Sequence, residues 1–100
     1  MEISFRTKQL ERCFRESKAA TKAFGPEVGR RYIQRIKLIQ ASKSVDDLRK
    51  LPGLRFHALT GDRKGTHAVN LTGFYRLILS IEGSEAQVIK IEEVSNHYGD

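Results

Sequence analysis

The sequence predicts an α+β fold: an N-terminal strand and a helical hairpin packed on a mostly antiparallel sheet of four to five strands. Three observations carry that expectation. Residues 7–41 repeat their apolar positions at helical spacing, residues from Leu54 onward alternate apolar with polar, and a short alternating segment, Glu2-Ile3-Ser4-Phe5, precedes both. A sheet with one apolar face and helices with one apolar stripe bury those surfaces best against each other. One hundred residues suffice for one modest core and not for two, so a single domain over residues 1–100 is expected.

Each element has its own signal. Thr7 is placed to cap a helix running to about Phe24, its hydroxyl accepting from a free amide of the first turn. Leu10, Cys13, Phe14, Ser17, Thr21 and Phe24 form a mostly apolar stripe on that helix. Gly25-Pro26 reads as a stop followed by a new start, since glycine tolerates the left-handed cap and proline suits the first helical position. The second helix extends to about Ala41, burying Val28, Tyr32, Ile33, Ile36 and Ile39 and leaving Arg30, Arg31 and Arg35 on a solvated face. Ser44-Val45-Asp46-Asp47 resembles a capping box that opens one further helical turn, closed by Pro52-Gly53.

The stretch Leu54–Leu79 reads as three strands joined by two glycine-containing turns. Period-two alternation puts Leu54, Phe56 and Ala58 on one face of the first strand and Arg55, His57 and Leu59 on the other. In the third, Tyr75, Leu77, Leu79 and Ile81 face the helices, while Phe74, Arg76, Ile78 and Ser80 face away. His67 shares a face with Val69 and Leu71 and is expected to be structural or at a strand edge. Gly61-Asp62-Arg63-Lys64-Gly65 lacks the spacing and following helix of a phosphate-binding P-loop, and reads as a hairpin loop whose cations could still meet a phosphate. Glu82-Gly83-Ser84-Glu85 turns into a last strand near residues 86–94, with Asn96-His97-Tyr98 just beyond it.

Eighteen Lys and Arg against twelve Asp and Glu give a net charge of +6. The sequence pI is near 9.8. Such a balance favours a polyanionic partner held through salt-sensitive phosphate contacts. No apolar run approaches the ~18 residues of a membrane span, and the first residues have no apolar signal core, so a cytoplasmic location is expected. The lone Cys13 excludes an internal disulfide, and one cysteine with three scattered histidines offers no metal-ligand spacing; no cofactor is expected. An imidazole, His57, among guanidinium groups is a pattern suited to proton transfer beside a phosphate.

The segments FHALTGDRKGTHAVNLTGFYRLIL and VIKIEEVSNHY resemble the RelE/ParE toxin superfamily, and within it the HigB-type plasmid-maintenance or host-killer toxins. The match covers residues 54–98 closely, through a strand histidine, an L-x-G-D-R-x-G loop, a Tyr-Arg-hydrophobic strand and a closing tripeptide. The resemblance implies a ribosome-dependent mRNA endoribonuclease that acts in the A site. It also implies a helix-turn-helix, HigA-like antitoxin that neutralises the toxin and carries the complex to operator DNA. It places His57, Arg76, His97 and Tyr98 in catalysis and Arg55, Arg63, Lys64 and Asn96 in RNA contacts. The usual Asp-Tyr-His ending reads Asn-His-Tyr here, and Thr60 stands where some members carry lysine. Two rival readings stay open: a ParE-like gyrase inhibitor, and a non-catalytic RNA- or partner-binding module of the same fold.

Overall fold

The computed structural model describes residues 1–84 and 87–96. Its elements run β1 (Glu2–Phe5), α1 (Lys8–Arg15), α2 (Ser17–Phe24), α3 (Pro26–Ala41), α4 (Val45–Lys50), β2 (His57–Ala58), a 3-10 turn (Gly61–Arg63), β3 (His67–Asn70), β4 (Tyr75–Glu82) and β5 (Val88–Asn96). The sheet order is β1-β5-β4-β3-β2; β1 runs parallel to β5, and the other pairs are antiparallel. The expected α+β arrangement is therefore present, with the N-terminal strand forming one edge and β2 the other.

The helices cover one face of this sheet. Leu10, Cys13, Ala20, Val28, Tyr32, Ile36 and Ile39 meet Val69, Leu77, Leu79, Ile89 and Ile91 in a continuous core. The caps follow the sequence: the amide of Leu10 donates to Thr7 Oγ1 at 3.1 Å, and that of Asp47 donates to Ser44 Oγ at 3.2 Å. Gly25 takes φ +88° between α2 and α3, a conformation that favours glycine, and Pro26 opens α3.

Three expectations need correction. The helix expected over residues 7–24 is broken at Glu16, whose backbone is extended (φ −127°, ψ 111°). A continuous helix would carry Ser17 and Thr21 toward the core. The break rephases the second segment, so that Ala20 is buried and both hydroxyl residues are exposed. Gly29 completes this packing, because a Cβ there would lie 2.8 Å from the backbone carbon of Ala20 and 2.9 Å from its oxygen. Second, the strand expected to begin at Leu54 begins at His57, because Arg55 has φ +51° and cannot continue a pleat. Third, Asn96 is the last residue of β5, paired with Tyr75, and does not lie beyond the strand.

Candidate active site

The face of the sheet turned away from the helices is not simply wet. Ala68 and Ile78, neighbours across β3 and β4, are as buried as the core yet have the opposite parity to Val69 and Leu77. The loop after β2 lies over that face. Its Arg63 reaches past β3 and β4 to β5, donating from a guanidinium nitrogen to Glu93 Oε1 at 3.0 Å. Within the loop, Thr66 Oγ1 donates to the Arg63 carbonyl at 2.7 Å and the Lys64 amide to that of Gly61 at 3.1 Å. The Gly61–Gly65 segment is thus a folded flap and not a plain hairpin turn.

A bulge makes Arg63's partner available. Ile78 pairs with Glu93 but Leu79 pairs with Ile91, so β5 carries one extra residue, Glu92. Both glutamates consequently work on the same face: Glu92 accepts from Ser80 Oγ at 2.7 Å while Glu93 holds Arg63. Spacing alone assigned Glu93 no role. The signal was a pair of adjacent acids in a strand of a basic protein, which breaks the alternation.

Between flap and sheet lies a cavity of about 350 Å³ lined by His57, Ala58, Leu59, Thr60, Arg63 and Arg76. Three cationic or ionisable side chains from separate segments converge there: His57 from edge strand β2, Arg63 from the flap and Arg76 from β4. His57 is exposed, and its Nδ1 lies 2.6 Å from the carbonyl oxygen of Arg55. A carbonyl only accepts, so Nδ1 carries a hydrogen, which leaves Nε2 as the ring nitrogen that can take or give a proton. The positive φ of Arg55 belongs to this arrangement, because it sets the carbonyl that orients the ring.

The remaining expected contacts disperse. Arg55 and Lys64 are exposed and outside the cavity lining. Asn96, opposite Tyr75, has the parity of the core-facing residues and is also outside the lining, since Ser95 is the partner of Arg76. His97 and Tyr98 lie outside the described residues. Nor are Arg31 and Arg35 simply solvated: they donate to the carbonyls of Leu71 and Asn70 at 3.3 and 3.0 Å, tying α3 to the end of β3. Burial, and then Arg31, lower the pKa of Arg35. His67 is structural, as expected. Its ring stacks on Phe56 at 4.9 Å with an 11° interplanar angle, and the Arg49 guanidinium lies 5.7 Å from the Phe56 centroid. Burial chiefly, then Arg49 and His57, push its pKa below the ordinary value.

Residues 3–94 match the model of a family described as the RelE-like toxin of type II toxin-antitoxin system HigB. Curated protein sequences give no match. Among solved structures, a chain of the YoeB-YefM complex from Staphylococcus aureus is similar at 15% identity, with 98% of each chain covered and a TM-score of 0.61. A YoeB/ParE toxin from Agrobacterium tumefaciens is similar at 14% identity, covering 98% of this chain and 100% of its own, with a TM-score of 0.58. YafQ from E. coli strain BL21(DE3) is 17% identical, covers 96% of this chain and 92% of its own, and has the same TM-score of 0.58. At these identities the likeness is one of fold.

Proposed function

The chain belongs to the HigB family of RelE-like toxins of type II toxin-antitoxin systems, and from that premise we propose that it is an endoribonuclease cutting mRNA in the ribosomal A site. The observation that carries the reading is the cavity where His57, Arg63 and Arg76 meet, with Nε2 of His57 free for proton transfer. The ribose 2′-OH attacks the adjacent phosphorus, the P–O5′ bond breaks, and a 2′,3′-cyclic phosphate and a 5′-OH result. One group removes the 2′ proton and another delivers a proton to the departing oxygen. His57 and His97 divide these tasks. Arg76 binds the phosphorane as its charge develops. Tyr98 stacks on a base or supplies a proton, and Arg55, Lys64 and Asn96 are outer contacts to RNA that position without specifying. Arg63, tied to Glu93, holds the flap wall of the cleft.

The partner is an antitoxin of the helix-turn-helix class, through which the toxin reaches operator DNA, and the place of action is the cytoplasm. The complex of YoeB with YefM supports a protein partner for this fold. Among the described residues no helix is long and apolar enough to cross a membrane. The test is to express the chain and map mRNA 5′ ends genome-wide. Codon-phased cuts confined to translated messages are expected, and they should vanish with Arg76→Ala. Intact messages accompanied by supercoiling defects would replace this reading with gyrase inhibition.

A further inference from the structure

Phe74 is 63% exposed, the most exposed large apolar side chain among the described residues, whereas the other four phenylalanines are buried or packed against the core. Its backbone is held on both sides. The Phe74 amide donates to Thr72 Oγ1 at 3.3 Å, and the amides of Leu71 and Thr72 donate to the Tyr75 carbonyl at 3.0 and 3.1 Å. A single exposed apolar residue is ordinary; its location here is not. Tyr75, the first residue of β4, packs toward the core and Arg76 lines the cavity, so the exposed Phe74 sits immediately before the strand, two residues ahead of Arg76. Two residues of chain span at most roughly 7 Å, about the length of one extended nucleotide, which keeps the ring within reach of the base beside a phosphate held at Arg76. An aromatic face next to a cationic cleft has the composition of a single-stranded nucleic-acid site: cations track the backbone, and a ring receives the base.

We infer that Phe74 is the stacking platform for the RNA base next to the phosphate at Arg76, and that it favours purines over pyrimidines through their larger stacking area. The inference rests on the nuclease reading and deepens it. A phenyl ring has no hydrogen-bonding group with which to read a base edge, so adenine and guanine are treated alike. Stacking also releases no counterions, so its contribution is independent of salt, in contrast to that of Arg76.

The test uses fluorescent, 2′-O-methylated hexa-adenylate and hexa-uridylate, which lack the attacking hydroxyl and cannot be cut. The unaltered chain binds the adenylate more tightly. Phe74→Leu weakens adenylate binding roughly five- to hundredfold, erases the difference between the two hexamers and leaves the dependence on salt unchanged. Phe74→Trp retains the preference, and Arg76→Ala lowers the salt slope by about one unit. Equal or undetectable binding of both hexamers by the unaltered chain overturns the inference. So does a Phe74→Leu protein of unchanged thermal midpoint that binds RNA normally and loses only its antitoxin, which would make Phe74 a protein contact. Message cutting is scored separately on translating ribosomes with the unaltered chain. Its absence removes the nuclease reading, while cutting with an unaltered purine preference in Phe74→Leu removes only the platform.

Discussion

At the residue scale the proposed chemistry turns on how His57 is held. Its Nδ1–H is occupied by the backbone carbonyl of Arg55, so the ring is oriented by main chain and not by a carboxylate. The arrangement requires Arg55 in the left-handed region, at φ +51°, where a side chain costs on the order of 1–2 kcal/mol. Strain of this kind at a candidate site matches the general tendency of functional positions to hold unfavourable backbone. Two substitutions separate carbonyl from guanidinium. Arg55→Gly removes the charge and the Cβ strain but keeps the carbonyl, so RNA cleavage should fall less than about tenfold. His57→Gln removes the proposed proton-transfer group and should lower cleavage by roughly 10²–10⁴-fold, with an unchanged circular dichroism spectrum because the side chain is exposed. Equal losses in the two variants would mean that the Arg55 guanidinium, and not its carbonyl, serves the site. The facing of His57 and Arg76 was legible from alternation alone. The turn at Arg55 was not, because nothing in an arginine's identity announces a positive φ.

Two packing devices stand out at the element scale. Gly29 lets α3 lie against the backbone of α2, and its missing Cβ matters more than its flexibility. Gly29→Ala should destabilise the protein by about 1–3 kcal/mol in chemical denaturation. Adding Ala20→Gly should not restore stability, since the clash is with the carbon and oxygen of the Ala20 backbone. The second device is the stack of Arg49, Phe56 and His67, which joins α4 to the β2–β3 hairpin. The pKa of His67 is lowered in the folded chain, so below the ordinary value of 6.5 the unfolded chain binds the extra proton first. This contribution to stability is therefore complete above pH 6.5 and is lost as the pH falls through the depressed folded value. His67→Phe keeps an aromatic ring on Phe56 and should flatten the dependence of the thermal midpoint on pH below 6.5; an unchanged acid limb would place the titration elsewhere. The sequence marked α3 to its last residue because Gly-Pro opens it and its isoleucines keep one face. It did not reveal the break at Glu16, since neither glycine nor proline marks that position and the stripe continues across it. The rephasing comes from the tertiary contact between Ala20 and Gly29, which local periodicity does not encode.

For the whole molecule, the net charge of +6 points toward a polyanion, but many cations already have internal duties. Arg31 and Arg35 fasten α3 to β3, Arg6 donates to the Glu92 carbonyl at 2.8 Å, and Arg63 closes the flap on Glu93. Composition supplies only a net sign; the fold distinguishes cations that position protein from those that line the cleft. Glu93 lets affinity and positioning be separated. Glu93→Gln raises the net charge by one and removes the Arg63–Glu93 ion pair, while retaining a side chain of similar size. If charge alone governed function, the variant would bind RNA more tightly, with a steeper salt dependence, and cut at least as fast. If the cavity needs its flap pinned to β5, the variant should still bind more tightly but cut more slowly, because the groups around the phosphate lose their mutual geometry. Single-turnover cleavage on programmed ribosomes, measured beside equilibrium binding across a salt series, distinguishes the two. We expect tighter binding and a cleavage step slowed about tenfold or more; a faster or unchanged step would reduce the flap to a passive loop and leave the cleft to His57 and Arg76.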